Sequence, residues 1–292
     1  MPPVPPDLPL LTTVVLTLLA ATLVVAEPVV GRRHFREFLD DVRQQGEPAR
    51  VRHLTRWSLT GWAWAVAVLA VVTVLPGVDA ADLGLRSPDL DPLLALRGGG
   101  GVGEGALAGL LTGVVVGVLV VAVSGLVMAR RGRRLPMPGN DAVQAMLPTS
   151  ARGRCAWAGL SVTAGITEEI TYRGLLVLVI TTLAPDLPVA VVVAVLAVLF
   201  GVAHWYQGRA GMLATGLAGA GLAGLYLATG SLVVPMVVHI VMDLRALLLA
   251  SPACDLPQPA TPAEHLREVR TTPVGPEGPP LGRAASATSS TP

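Results

Sequence analysis

Two adjacent glutamates, Glu168 and Glu169, and an arginine four residues later, Arg173, lie inside an apolar stretch of about residues 155–184. A stretch of this length can cross a bilayer, which requires roughly 20 apolar residues. An ionisable side chain near the bilayer centre costs roughly 2.5 to 3.5 kcal/mol on insertion scales. Three such side chains in one membrane helix therefore predict a functional site.

Helical spacing predicts different roles for the two glutamates. Side chains four residues apart point within about 40° of each other, whereas adjacent side chains differ by about 100°. Glu169 is expected to pair with Arg173, in the order that favours an ion pair on a helix, and pairing is the usual condition for burying either charge. Glu168 then remains free for chemistry. The alternative is that all three form one buried polar cluster that only fixes helix packing.

Two of the five histidines, His204 and His239, lie in later apolar stretches, and Asp243 follows His239 by four residues. His239 and Asp243 share one helix face and can act on one ligand. Neutral imidazole and carboxylate groups can hold a divalent metal such as zinc, or they can position and deprotonate a water without a metal. Both alternatives stay open at this stage. The candidate metal ligands are Glu168, His204, His239 and Asp243.

The composition predicts an all-α, polytopic membrane protein. Hydrophobic residues make up 52% and charged residues 14% of the 292 residues, and the mean hydropathy is +0.62. About seven apolar segments are long enough to span a bilayer, and this number would place the two termini on opposite sides. The predicted spans are about 8–26, 57–75, 106–128, 155–184, 188–206, 211–229 and 231–250.

The distribution of positive charge predicts the orientation in the cell membrane. All 21 basic residues are arginine, and most lie in two predicted loops, about 31–56 and 129–154. The positive-inside rule places both loops in the cytoplasm, with the N-terminus outside and the C-terminus inside. Because topology already explains the arginine clusters, no nucleic-acid interface is indicated.

The chain is expected to have three parts. Residues 1–143 form a transmembrane scaffold with basic cytoplasmic loops, and residues 144–250 form a membrane core that holds every candidate site residue. Residues 251–292 are rich in Pro, Ser, Thr, Ala and Gly, and a segment of this composition cannot bury enough surface to fold. It is therefore predicted to be a disordered cytoplasmic tail.

The depths of the candidate residues predict an irregular helix. Glu168 lies about 13 residues into its span, roughly 20 Å at 1.5 Å per residue, whereas His204 lies near the end of the next span. The two side chains can meet only if the first helix tilts or breaks. Gly159 and Gly165 are the expected positions for such a break.

Three motifs in the second half resemble the signature of a known family. Glu168-Glu169-Ile-Thr-Tyr-Arg173, Phe200-x-x-x-His204 and His239-x-x-x-Asp243 are similar to the motifs of the CPBP family of intramembrane proteases, which includes CAAX prenyl endopeptidases and bacteriocin-processing relatives. The resemblance covers about residues 144–250. Each motif alone is weak, but their order, spacing and placement in successive spans are specific.

The resemblance implies roles for individual residues. Glu168 would activate the attacking water, His204 would help to bind that water or a metal, and His239 with Asp243 would stabilise the oxyanion. Asp243 stands where the prenyl endopeptidase branch has asparagine, so it would be protonated, or ligate a metal, or orient His239 by accepting its second N–H. Family members are described both as metallopeptidases and as glutamate-dependent enzymes, so a metal is not decided. The full predicted catalytic set is Glu168, Glu169, Arg173, His204, His239 and Asp243.

The predicted function is hydrolysis of a peptide bond in a membrane-associated peptide or protein, with the lipid bilayer as the second partner. One alternative is a noncatalytic membrane scaffold or bacteriocin-immunity-type protein that uses the same polar cluster for binding. Another is an ion transporter that uses Glu168 and Arg173.

Overall fold

The computed structural model of this chain describes residues 8–94 and 140–249. The predicted span at 106–128 and the predicted tail at 251–292 lie outside the described residues. The boundary between scaffold and core at residue 143 is not tested and remains a prediction.

Every regular element in the described ranges is helical, which confirms the all-α class. The elements are α1 (Leu10–Gln45), α2 (Glu47–Val74), α3 (Asp91–Leu94), α4 (Asn140–Met146), α5 (Ala151–Glu168), a π-helical segment (Glu169–Leu175), α6 (Leu176–Leu183), α7 (Val189–Ala203), a 3-10 turn (Trp205–Gln207), α8 (Gly208–Thr229) and α9 (Val233–Leu249).

Three helical segments are long and apolar enough to cross a membrane, namely Leu10–Gln45, Glu47–Val74 and Trp205–Thr229, and α7 is a shorter apolar helix. The length and composition of these segments are those of a membrane protein. The number of spans and the side on which each terminus lies remain predictions.

The arginine-rich stretch at 31–56 is not a loop, which corrects the sequence-based prediction. Helix α1 continues to Gln45 and α2 begins at Glu47, with only Gly46, at φ +65°, between them. Arg, Glu, Gln and Ala favour helix strongly, and this stretch also buries an apolar face through Phe38, Val42 and Leu54. A high content of charged residues predicts a loop, but this segment also has an apolar face, and one apolar face is enough to keep a polar segment helical.

Residues 76–91 follow α2 in the chain and are hydrogen-bonded to residues 229–232, which form the turn that precedes α9. The Leu232 amide donates to the Gly84 carbonyl at 2.9 Å, and the Asp89 amide donates to the Thr229 carbonyl at 3.0 Å. Arg86 Nε donates to the Gly230 carbonyl at 2.6 Å. Residues from both halves of the chain thus fix the start of α9, the helix that carries His239.

Candidate active site

The backbone changes from α to π geometry immediately after Glu168. Helix α5 is continuous from Ala151 to Glu168, and the π segment covers Glu169–Leu175. The predicted break at Gly159 or Gly165 is therefore wrong. Single-turn π segments occur often at functional sites, and this one begins between the two glutamates that the motif pairs.

Gly165 has a packing role instead. A Cβ atom at this position would lie 2.9 Å from the Ile240 backbone nitrogen, closer than real Cβ contacts allow. Only a residue without a side chain lets α5 approach α9 this closely. The close approach brings Glu168, one helical turn later on α5, beside His239, which precedes Ile240 on α9.

Glu169 and Arg173 form the predicted ion pair, and both side chains are fully buried, with 0% exposure. Arg173 Nη1 donates to Glu169 Oε1 at 2.9 Å, and Nη2 donates to the Gly219 carbonyl at 3.1 Å. The guanidinium also lies over the Phe200 ring, 4.2 Å from its centroid. The pair therefore joins the π segment to α7 and α8.

Glu169 also fixes the orientation of His239. His239 Nδ1 lies 2.8 Å from Glu169 Oε1. Because a carboxylate paired with arginine can only accept, Nδ1 must carry the hydrogen, and Nε2 is the nitrogen that points away. His239 Nε2 lies 3.9 Å from Glu168 Oε2 and 3.8 Å from Asp243 Oδ2. Both separations exceed a direct hydrogen bond.

His204 has the same tautomer for the same reason. Its Nδ1 lies 2.8 Å from the Phe200 carbonyl, which can only accept, so Nδ1 donates and Nε2 is an acceptor when the ring is neutral. The His204 ring lies 4.7 Å from the Phe200 ring, and the His239 ring lies 6.0 Å from it, centroid to centroid. One phenylalanine thus contacts both histidines.

A cavity of about 500 Å³ brings the candidate residues together. Glu168 at the end of α5, His204 directly after α7, and His239 and Asp243 in α9 all line it. The side chains of Glu168 and Asp243 are 25% and 38% exposed, so they are accessible from the cavity. Glu169 and Arg173 are not among its lining residues and lie behind His239.

Asp243 does not take the second N–H of His239, one of the three roles considered from the sequence. That hydrogen goes to Glu169, and Asp243 faces the opposite ring nitrogen. Its own backbone carbonyl accepts from Trp157 Nε1 at 3.3 Å. Asp243 is thus held on the cavity wall by α5 as well as by α9.

The side chains as placed do not fit a metal centre. Within residues 8–94 and 140–249, no group of three or more His, Cys, Asp or Glu side chains has an arrangement that could hold a metal ion. Glu169 Oε1 is already occupied by Arg173 and His239. The predicted zinc or other divalent metal on Glu168, His204, His239 and Asp243 remains an untested prediction.

Sequence reasoning missed two charged residues that line the cavity, Glu27 and Arg245. Glu27 of α1 lines the cavity and accepts a hydrogen bond from the Tyr172 hydroxyl. It is the only charged residue between positions 8 and 31. That isolation was the available signal, but the first span was expected to end at residue 26, which left Glu27 outside the membrane.

Comparison with known proteins supports the resemblance read from the motifs. Residues 152–245 match the family described as type II CAAX prenyl endopeptidase Rce1-like. No curated protein and no solved structure matches the chain. The matched segment contains Glu168, Glu169, Arg173, His204, His239 and Asp243, together with the π segment. Residues 152–245 are therefore similar to the type II CAAX prenyl endopeptidase Rce1-like family, and this match supports the resemblance to the CPBP family.

Proposed function

We propose that this chain is an intramembrane endopeptidase that hydrolyses a peptide bond of a membrane-associated peptide or protein with a water activated by Glu168. The observation that carries the proposal is the meeting of Glu168, His204, His239 and Asp243 at one cavity of about 500 Å³. The family match supports a protease of the CAAX type at the family level.

Glu168 is the proposed general base. Its side chain is 25% exposed and lines the cavity, and Oε2 has no hydrogen-bond partner within the described part of the chain, so the carboxylate is available to accept a proton from water. His204 Nε2 can accept the second hydrogen of that water and hold it in line. As the water oxygen bonds to the substrate carbonyl carbon, one proton passes to the Glu168 carboxylate.

His239 is the proposed donor to the oxyanion. In its protonated form, Nδ1 donates to Glu169 and Nε2–H can donate into the cavity, where the negative oxygen forms. Asp243 and Glu169, on opposite sides of the ring, stabilise the imidazolium charge. A preorganised donor of this kind contributes about 2.7 to 4 kcal/mol to transition-state stabilisation.

Collapse of the tetrahedral intermediate breaks the carbon–nitrogen bond and restores Glu168. The glutamic acid returns its proton to the leaving amine nitrogen, so that water has been added across the peptide bond. Glu169 and Arg173 touch neither water nor substrate in this scheme. They act as positioning residues, because they hold the His239 ring in its tautomer.

The test is cleavage by the full-length protein in liposomes. A library of membrane-associated peptides is incubated in ¹⁸O-labelled water and analysed by mass spectrometry. We expect fragments with one ¹⁸O atom in the new carboxyl group, and rates lowered by about 10²- to 10⁴-fold in Glu168→Gln and His204→Ala. Glu37→Gln, on the exposed side of α1, is the matched control and should cleave at the wild-type rate.

Two outcomes would overturn the proposal. One is equal cleavage by wild type and Glu168→Gln. The other is peptide binding without cleavage by the wild type, which would favour the noncatalytic scaffold. A bound divalent metal whose removal abolishes cleavage would instead replace the metal-free steps with a metallopeptidase route.

A further inference from the structure

Glu27 projects a carboxylate into the cavity from the half of the chain that was expected to be scaffold. One face of α1 lines the cavity through Leu23, Glu27, Val30, Gly31 and His34, at the three- and four-residue spacing of a helix. Glu27 is the single charge in the apolar part of that helix. Such a charge is costly in lipid and indicates a function by default.

The contacts of Glu27 are unusual for a carboxylate in this environment. Among the described residues, its one hydrogen-bond partner is the neutral Tyr172 hydroxyl, which donates to Oε2. Within residues 8–94 and 140–249, no arginine or histidine forms an ion pair with it, although the nearby Glu169 has both. Glu27 is half-buried at the cavity wall, and a carboxylate that is partly removed from water is stabilised by a cationic partner. Within the described residues Glu27 has no such partner.

No arginine in the described residues supplies this cation. Arg173 is held by Glu169 and the Gly219 carbonyl behind the cavity. Arg245 lines the cavity on α9, two residues after Asp243, and forms no ion pair with Glu27. A positively charged group of a molecule that enters the cavity can therefore pair with Glu27.

Ring contacts connect this position to the proposed catalytic residues. The Tyr172 ring lies edge-on to Phe200 at 5.1 Å between centroids, and Phe200 in turn contacts the rings of His204 and His239. Tyr172 also follows Glu168 by four residues. A group bound to Glu27 would thus lie within a few residues of the bond that Glu168 attacks.

We propose that Glu27 is a specificity-determining residue that binds a positively charged group of the substrate, either a lysine or arginine side chain or a free amino terminus. This inference rests on the proposed protease function, since it names the substrate class of the same cavity. The N-terminal hairpin α1–α2 then takes part in substrate selection as well as in packing.

The test is a binding measurement on full-length Glu168→Gln protein in nanodiscs, which does not require cleavage. The probes are fluorescent, N-acetylated apolar dodecapeptides that carry a single Lys, Met or Glu at successive positions, and their non-acetylated counterparts. We expect Lys at one position, or the free amino terminus, to tighten binding at least about tenfold over the matched Met or acetylated peptide.

The same comparison in a second background isolates Glu27. Adding Glu27→Gln should abolish the preference, Glu27→Asp should keep part of it, and Glu27→Arg should shift it towards the Glu peptides. Glu37→Gln, on the same helix but exposed and paired with Arg33, should keep the full preference. Glu27→Gln removes an intramembrane charge, so the variant is expected to fold, and a melting curve checks this.

The inference is overturned if the Lys preference survives in Glu27→Gln, or if no peptide series shows a preference for positive charge. These results leave the cleavage experiment unaffected. Conversely, loss of cleavage-dependent ¹⁸O incorporation would remove the proposed hydrolysis and leave the binding result to stand as a cation site.

Discussion

Glu168 and Glu169 are neighbours in sequence, yet their surroundings differ. Glu168 lines the cavity, whereas Glu169 lies behind it among packed side chains. Glu169 is fully buried, and its Oε1 receives both Arg173 and His239. Glu168 is 25% exposed, lines the cavity and has a carboxylate oxygen without a hydrogen-bond partner in the described residues. Oε2 of Glu169 also has no hydrogen-bond partner among the described residues, so the two acids differ in ion pairing and in access to the cavity. The comparison teaches that the ion-paired acid behind the cavity serves geometry, whereas the unpaired acid on the cavity wall is available for chemistry.

The surroundings of Glu169 suggest what the buried Glu169–Arg173 pair is for. A buried pair contributes little net stability, because the desolvation of both charges offsets their attraction. Here the pair also determines which nitrogen of His239 faces the cavity. Its expected benefit is therefore a defined tautomer and ring orientation at the site.

The largest expected effect is the loss of stability when the buried Glu169–Arg173 pair is broken. Arg173→Ala leaves Glu169 as an uncompensated buried charge, which should lower the free energy of unfolding by about 3 to 5 kcal/mol. Denaturant titration in detergent micelles measures this loss. Arg33→Ala, which breaks an exposed pair on α1, should leave stability unchanged. Equal stability of Arg173→Ala and wild type would show that the pair is not buried as described.

The next largest effect is expected from a substitution that disturbs the close approach of α5 and α9. Gly165→Ala places a methyl group against the Ile240 backbone and should cost about 1 to 3 kcal/mol of stability, with a loss of cleavage because Glu168 and His239 move apart. Gly159→Ala is the matched control, since nothing lies within 4 Å of the added Cβ. That variant should be neutral or slightly more stable. Similar behaviour of the two alanine variants would contradict the packing role of Gly165.

A smaller effect on cleavage is expected at Glu47, an acid with about the same exposure as Glu168 but with several hydrogen-bond donors. Glu47 is 21% exposed, similar to Glu168, but it accepts from the Thr149 and Ser150 amides at 3.2 and 3.1 Å and from Ser150 Oγ at 2.8 Å. Glu47 also pairs with the buried Arg50, so Glu47→Gln should lower stability by about 1.5 to 3 kcal/mol without reducing the cleavage rate per folded molecule. A large fall in that rate would mean that exposure alone marks a catalytic acid here.

The site was largely predictable from the sequence because its main signals are local. The Glu169–Arg173 pair follows from helical spacing, and the motifs of His204, His239 and Asp243 fall at the end of α7 and in α9, which are both apolar helices. The positions of six described helical regions were likewise set by apolar stretches of spanning length.

The remaining features depend on contacts between distant residues. The π segment after Glu168 has no proline, and its one glycine, Gly174, lies near its end and does not mark its start. The role of Glu27 depends on Tyr172, 145 positions later. The helical nature of residues 31–56 was missed because its buried side, including Phe38 and Val42, packs against residues far along the chain, such as Trp157. Sequence periodicity shows that a face is apolar, but it does not identify the partner of that face.

The most direct test of the central claim is a paired measurement of cleavage rate and melting temperature for Glu168→Gln and Glu169→Gln. We predict that Glu168→Gln loses at least about a hundredfold in cleavage rate and keeps the wild-type melting temperature. Glu169→Gln is predicted to melt at a clearly lower temperature, because Arg173 loses its buried counter-charge. A Glu168→Gln variant that cleaves at the wild-type rate, or that loses as much thermal stability as Glu169→Gln, would contradict this division of roles.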